Sequence, residues 1–202
     1  TLPEFVTKLF EQEIPEVSMG TIEIVAAARE PGVKAKIAVK SSNSRLDPVG
    51  ACIGMKGSRI QAVTNKVSGE RIEVIRWDEN PAQYVINALA PAEVLSIIQD
   101  EDKQRMELSV TDSDLPAAIG KGGQNVRLAS ELTGWNLSVL SSTEAEAKRS
   151  NESESIKNLF VTSLGISEDL ASTLEQEGFT TIEELAFVPA KELMEIPSLD
   201  TS

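Results

Sequence analysis

The sequence predicts an α+β protein: two tandem copies of a helix–strand–strand–helix–helix–strand unit, then a small, acidic, all-helical segment. Three observations carry this. Ile53-Gly54-Met55-Lys56-Gly57-Ser58-Arg59-Ile60 is answered 66 residues later by Ile119-Gly120-Lys121-Gly122-Gly123-Gln124-Asn125-Val126. Each stretch reads as an apolar residue, Gly-x-x-Gly, two polar residues, then an apolar residue opening a helix-period pattern. The segments around both stretches follow in the same order, so the repeat is of domain size. From Glu144 onward the chain carries 13 acidic and 4 basic residues, with short apolar runs at helical spacing.

Taken in order, Leu2, Phe5, Val6, Leu9 and Phe10 recur at helical spacing and predict an amphipathic helix over Pro3–Glu13, ended by Pro15. Thr21–Ala28 reads as a strand and Glu30-Pro31-Gly32 as a turn. Val33, Ala35, Ile37 and Val39 alternate with Lys34, Lys36 and Lys40, which predicts a strand with one buried face and one basic, solvated face. Pro48–Ile53 and Ser58–Val67 are helices on either side of the first Gly-x-x-Gly, and Arg71–Trp77 is the closing strand. The second copy opens with a helix over Ala82–Leu89, with Asn80 as N-cap and Pro81 in its first position. It continues with strands over Val94–Ile98 and Arg105–Thr111, helices over Leu115–Ile119 and Gln124–Leu132, and a strand over Trp135–Leu140. Ser68-Gly69 and Thr133-Gly134 stop the two second helices.

The expected domains are a first module over 1–78, a second over 79–143, a linker over 144–155 rich in Ser, Glu, Ala and Lys, and an acidic helical segment over 156–202. Almost no linker separates the two modules, which predicts that they pack as one unit with their loops in line. In the acidic segment, Ser167 and Thr180 are candidate N-caps, and Pro189 opens another helix. The chain begins Thr1-Leu2-Pro3 rather than with Met, which predicts a piece cut from a longer protein.

Composition narrows the function classes. There is no histidine and one cysteine, Cys52, so neither a Ser-His-Asp nor a Cys-His nucleophile can be assembled, and a Cys-rich metal site is excluded. Cys52 is expected to be a small buried residue in a reducing, cytoplasmic setting. No apolar run approaches the ~20 residues of a membrane span. Neither a Walker-type loop nor a dinucleotide fingerprint is present. The expectation is a non-enzyme without cofactor or metal. A net charge of −13 argues against a nucleic-acid partner until its distribution is read. Between Arg45 and Arg76 six basic residues face three acidic ones, and the acid is concentrated in the C-terminal segment. Such asymmetry predicts two different partners.

Two glycines around a short basic pair make a tight loop that another backbone can approach closely. The helix behind it aims unpaired N–H groups and the positive end of its dipole at the same place. Such a loop suits a sugar-phosphate backbone. Lys56 and Lys121, standing in register in the two copies, are the first candidates for phosphate contact; the competing reading is a solvated turn lysine. Arg59 and Arg127 are secondary candidates. No aromatic residue lies in either loop, and Trp77 and Trp135 read as core. The second loop, with a third glycine and little charge, is expected to bind more weakly alone.

These loops and their flanking elements resemble the KH family, whose Gly-x-x-Gly loop clamps about four nucleotides of single-stranded RNA or DNA. The resemblance implies the bacterial form of that fold, with helices on one face of a three-stranded sheet. It implies RNA contacts at Gly54, Met55, Lys56, Gly57, Ser58 and Arg59, and at Gly120, Lys121, Gly122, Gly123, Gln124, Asn125 and Arg127. The acidic segment resembles a helix-hairpin-helix unit, but Ile196-Pro197-Ser198-Leu199-Asp200 lacks the glycines of the DNA-binding hairpin, which favours protein docking there.

Glu16-Val17-Ser18-Met19-Gly20-Thr21-Ile22-Glu23-Ile24, Asp47-Pro48-Val49-Gly50-Ala51-Cys52 and Gly123-Gln124-Asn125-Val126-Arg127-Leu128-Ala129-Ser130 further resemble the NusA family of bacterial transcription termination/antitermination factors. That resemblance covers both modules and an acidic repeat cut short at its C-terminus. It implies a monomeric, RNA-polymerase-associated protein that holds nascent single-stranded RNA, with antitermination proteins as partners of the acidic tail. The alternative is a protein-interaction scaffold of the transcription complex with weak RNA affinity.

Overall fold

A computed structural model describes residues 3–189. The chain divides after Ser142 into two compact units. The first contains both modules.

In the first module, α1 (Pro3–Glu13) buries Val6, Leu9 and Phe10, as its periodicity demands. Pro15 ends it and starts the single turn α2 (Pro15–Ser18), an element the sequence reading missed. Strands β1 (Ile22–Glu30) and β2 (Lys34–Ser41) pair antiparallel, and β3 (Arg71–Arg76) adds to β2 in parallel. Between β2 and β3 run α3 (Pro48–Ile53) and α4 (Ser58–Lys66). The parallel pairing requires that crossover. Ile14, Ile22, Ile37, Val39, Cys52 and Val63 join the α1 residues in one core. Burial pushes the Cys52 thiol pKa up to about 12, as expected of a packed rather than reactive cysteine.

The second module repeats this order with α5 (Pro81–Leu89), β4 (Val94–Asp100), β5 (Arg105–Val110), α6 (Leu115–Ile119), α7 (Gln124–Thr133) and β6 (Asn136–Ser141). Its sheet has the order β4-β5-β6, with the same antiparallel and parallel pairings. Asn80 caps α5 by accepting from the N–H groups of Ala82 and Gln83 at 2.9 and 3.4 Å.

The two modules share a core. Ala28, Ala38 and Ile75 from the first sheet pack with Tyr84, Val85, Ala88, Leu89, Met106, Leu108, Leu128 and Leu132 of the second module, with Trp77 and Trp135 at its margin. This corrects the expectation of a solvated basic face on β2. That face also carries Ala38, and the second module covers it. Lys36 is fully buried, and its Nζ donates to Glu73 Oε2 at 2.8 Å and to the Ala88 carbonyl at 2.6 Å. Burial lowers the Lys36 pKa, and the Glu73 carboxylate opposes that shift. Glu73 is itself shared with Lys34 at 2.8 Å and Arg71 at 3.4 Å. A buried ammonium persists only where such partners satisfy it.

A second buried pair lies within the first module. Arg29 grips Glu70 with two bonds of 2.8 and 2.6 Å, and the Gly32 N–H donates to the same carboxylate at 2.7 Å. The pair ties the end of β1 to the residue before β3.

In the C-terminal unit, α8 (Ser142–Leu164), α9 (Glu168–Gln176) and α10 (Ile182–Phe187) enclose Phe160, Ala171 and Leu174. Residues 144–155, expected as a linker, are three turns of α8. Glu144-Ala145-Glu146-Ala147-Lys148-Arg149 is made of strong helix formers, which need no apolar stripe to stay helical once the buried C-terminal half anchors them. Ser167 caps α9 as expected, accepting from the Leu170 N–H at 3.3 Å. For α10 the cap is Thr181, not Thr180: Thr181 and Glu184 form a reciprocal capping box. The expected helix after Pro189 and the Ile196–Asp200 turn lie outside the described residues.

Candidate nucleic-acid interface

Both loops are made the same way. Asp47 caps α3 through the Gly50 N–H at 3.0 Å, and α3 ends where Gly54 turns to φ 74°, ψ 174°. Gly120 ends α6 with φ 74°, ψ 172°. That region of backbone space is open essentially to glycine alone. In each loop the fourth residue returns an N–H to the first carbonyl at 3.1 Å. Gly57 and Gly123 then enter α4 and α7 with φ near 75° (78° and 75°), and neither helix has a side-chain cap. The leading N–H groups of both helices therefore lack a side-chain cap.

The torsions also correct the expected register of the lysines. Lys56 has φ 51°, ψ 27° and its structural counterpart is Gly122, with φ 62°, ψ 27°. Lys121 corresponds to Met55. The two lysines thus stand one position apart in otherwise superimposable loops. A non-glycine residue in the left-handed region costs about 1 kcal/mol or more, and loop 1 keeps Lys56 there. Lys56, Met55, Lys121 and Ser58 are exposed, with Met55 at 88%. Among the described residues Lys56 and Lys121 take no ion pair.

The structure gives the other candidates partners within the protein. Arg59 Nη1 donates to Glu16 Oε2 at 2.8 Å and to the Ala51 carbonyl at 2.7 Å, and its stem packs over Gly54. Asn125 occupies the same place in loop 2. It is 3% exposed, its Nδ2 donates to the Ala117 and Ala118 carbonyls at 3.2 and 3.1 Å, and its Oδ1 accepts from Lys34 at 3.0 Å. Both side chains brace the loop, Asn125 from a buried position and Arg59 from a partly exposed one. Gln124 donates to Glu30 at 2.7 Å, and Arg127 pairs with the same carboxylate.

Lys34 and Glu30 belong to the first module, so that module fixes the second loop. Gly120 and Lys121 share a cleft of about 380 Å³ with Lys34 and Arg71. Sequence reasoning did not single out Glu30 or Arg71 at this site, and it read Lys34 as a lysine of a solvated strand face rather than an RNA contact. Glu30 and Lys34 sit about ninety residues from their partners in loop 2 and Arg71 about fifty, and the lysine alternation on β2 was the one available signal. Among the described residues no cluster of three or more His, Cys, Asp or Glu side chains could hold a metal ion, and no helix is long and apolar enough to cross a membrane.

Comparisons with known proteins place the two modules in a family. The model of the NusA-like first KH domain matches residues 1–77, and that of the NusA-like second KH domain matches residues 81–147. The chain is 41% identical over 186 residues to the transcription termination/antitermination protein NusA of Rickettsia conorii, and equally to that of Rickettsia prowazekii. The match takes in 91% of this chain but only 37% of either relative. Among solved structures, APE1850 is similar with a TM-score of 0.51 and 23% identity, over 69% of this chain and 96% of that one; this likeness speaks for the fold alone. The chain belongs to the NusA family, and residues 1–147 carry that family's first and second KH domains.

Proposed function

We propose that this chain holds single-stranded RNA on its two Gly-x-x-Gly loops, as the RNA-gripping part of a transcription termination/antitermination factor. One observation carries the reading: two loops of near-identical backbone, each presenting an uncapped helix N-terminus and an unpaired exposed lysine. The glycines admit the phosphate backbone while Lys56 and Lys121 supply charge. Because Lys34 and Arg71 of the first module border loop 2, a strand leaving one module would still meet positive charge at the other. The factor acts by binding rather than catalysis, in the cytoplasm and as a monomer, on nascent RNA beside RNA polymerase.

The test is fluorescence anisotropy with a short labelled single-stranded RNA at several salt concentrations. Affinity should fall linearly with salt on logarithmic axes, by about 0.7 per phosphate contact. Lys56→Asp and Lys121→Asp should each flatten that slope, and the double variant should abolish binding. Equal binding by all four proteins removes the reading.

The C-terminal unit favours a second role beside the first. Its exposed carboxylates on and just after α9 and on α10, Glu168, Asp169, Glu177, Glu183 and Glu184, suit a basic protein surface such as an antitermination protein or polymerase. If RNA binding fails, this scaffold role becomes the principal one.

A further inference from the structure

β1 and β4 are the outer strands of their sheets and correspond residue by residue, since each has a bulge at the same place, between Ile24 and Ala26 and between Val94 and Ser96. Ser96 thus matches Ala26, and Ile98 matches Ala28. Their surroundings differ. α7 packs on β1, and Ala28 is 2% exposed within the shared core. On β4, Leu95 is 52% and Ile98 58% exposed, and Ser96 and Gln99 are exposed as well. From Val94 to Gln99 the strand carries no charge. The bulge disturbs only its start, and Ser96–Asp100 runs in unbroken register with β5. Proteins ordinarily blunt such an edge with a lysine, a proline or a covering element.

The ends of β4 are acidic. Glu93 precedes it, and Glu101 and Asp102 follow it; all three are exposed and take no ion pair among the described residues. The cations nearby are engaged: Lys103 Nζ reaches Asp100 at 3.1 Å, and Arg105 lies 3.9 Å from Glu107.

We propose that β4 takes an extended, basic segment of a partner protein as a fourth strand. Its apolar side chains would lie against Leu95 and Ile98, with Lys or Arg at both ends facing Glu93 and the Glu101-Asp102 turn. Alternate residues of β4 turn their N–H and C=O groups away from β5, and these supply the main-chain bonds of an added strand. Charge decides the occupant. A second copy of β4, paired in either direction, would bring carboxylate against carboxylate at both ends, in a chain of net charge −13. A nucleic-acid backbone meets the same repulsion, whereas a basic peptide neutralises it. None of these residues belongs to either Gly-x-x-Gly loop, so the inference stands apart from the RNA reading.

The seven residues of β4 span about 23 Å, so a peptide of about nine residues reaches both acidic ends. The test is fluorescence anisotropy with the whole chain and a labelled peptide of that length, alternating Val and Thr between paired lysines. A control peptide of the same charge carries two consecutive prolines at its centre and cannot extend a ladder. The first should bind about tenfold more tightly than the control. It should also slow hydrogen exchange of the β4 amides, which attraction to carboxylates elsewhere would not do. Ile98→Lys, at an exposed site that leaves the core intact, should weaken binding about tenfold. Glu101→Lys combined with Asp102→Lys should weaken it too and reduce its salt dependence. If the two peptides bind alike, or neither protects β4, the docking edge is overturned. A dimer in sedimentation that Ile98→Lys dissolves would also overturn it, and would assign the edge to a second copy of this chain.

Discussion

Loop 1 and loop 2 have nearly the same backbone and are held by different means. In loop 1, Arg59 covers Gly54 and is anchored by Glu16 from α2, so the first module supports its own loop. In loop 2, Asn125 lies under Gly120 and is bonded to Lys34, while Glu30 holds Gln124 and Arg127. The second loop is therefore built partly from the first module. A tandem repeat of this kind is not two independent binders: the first module presents one loop and positions the other.

Breaking the glycines should give the largest contrast. A Cβ on Gly120 would stand 2.9 Å from the backbone nitrogen of Asn125, whereas one on Gly54 would meet only the Arg59 side chain. Both substitutions incur the same backbone strain, so Gly120→Ala should cost about 4 kcal/mol and Gly54→Ala about 2. Urea unfolding of the two variants measures the difference, and equal costs would mean that Asn125 gives way as easily as Arg59.

Next come the two supports themselves. Asn125→Ala strands buried polar groups and should cost about 2–3 kcal/mol; Arg59→Ala, at a partly exposed site, should cost about 1. The sharper readout is RNA affinity. Lys34→Met should weaken RNA binding through loop 2 without touching loop 1, so its effect should persist in Lys56→Asp and vanish in Lys121→Asp.

Exchanging the one residue that differs in backbone strain gives a smaller effect of opposite sign. Lys56→Gly should stabilise the chain by about 1 kcal/mol and lose RNA affinity. Gly122→Lys should destabilise by a similar amount and gain affinity, since a Cβ there meets nothing within 4 Å. A stabilised Lys56→Gly that binds RNA fully would show that Lys56 has no phosphate to hold.

Near neutral pH the smallest contrast is electrostatic. In the first module Glu16, Asp47, Glu70 and Glu73 all have lowered pKa values, while in the second Asp100 is lowered by its bonds to Lys103 and burial raises Tyr84 to about 12. For Glu70 the chief cause is Arg29. At Glu73 burial pushes upward, and Lys34 and Lys36 together outweigh it. Ionised carboxylates of this kind stabilise the fold fully above the ordinary value of 4.5. That stability is lost as pH falls from there through the lower folded values. Hydrogen exchange should show the amides of β2 losing protection at higher pH than those of β5. Simultaneous loss would show that the shared core makes the two modules melt together.

Most of this fold was legible because its signals are local. The helix over Pro3–Glu13 follows from apolar spacing, α5 from Asn80 and Pro81, and α3 and α6 from the bounds that Pro and Gly impose. The repeat carried these assignments from one module to the other. Two errors were also local in cause. The helix formers of 144–155 lack an apolar stripe and so resembled a linker, and Thr180 and Thr181 offer equal hydroxyls until Glu184 selects one.

What the sequence determined by itself is the set of elements and the two loops, since turns, caps and Gly-only torsions depend on neighbours a few residues away. Tertiary structure alone decided what lies against what. Lys36 is soluble by type and alternates as a surface residue would, yet Glu73 and the Ala88 carbonyl let it be buried between modules. Asn125 and Arg59 are expected from the sequence as RNA contacts, and the fold also makes them braces of their loops, through partners 91 and 43 residues away. A polar side chain's role depends on whether distant groups satisfy it, and that pairing exists only once the chain has folded.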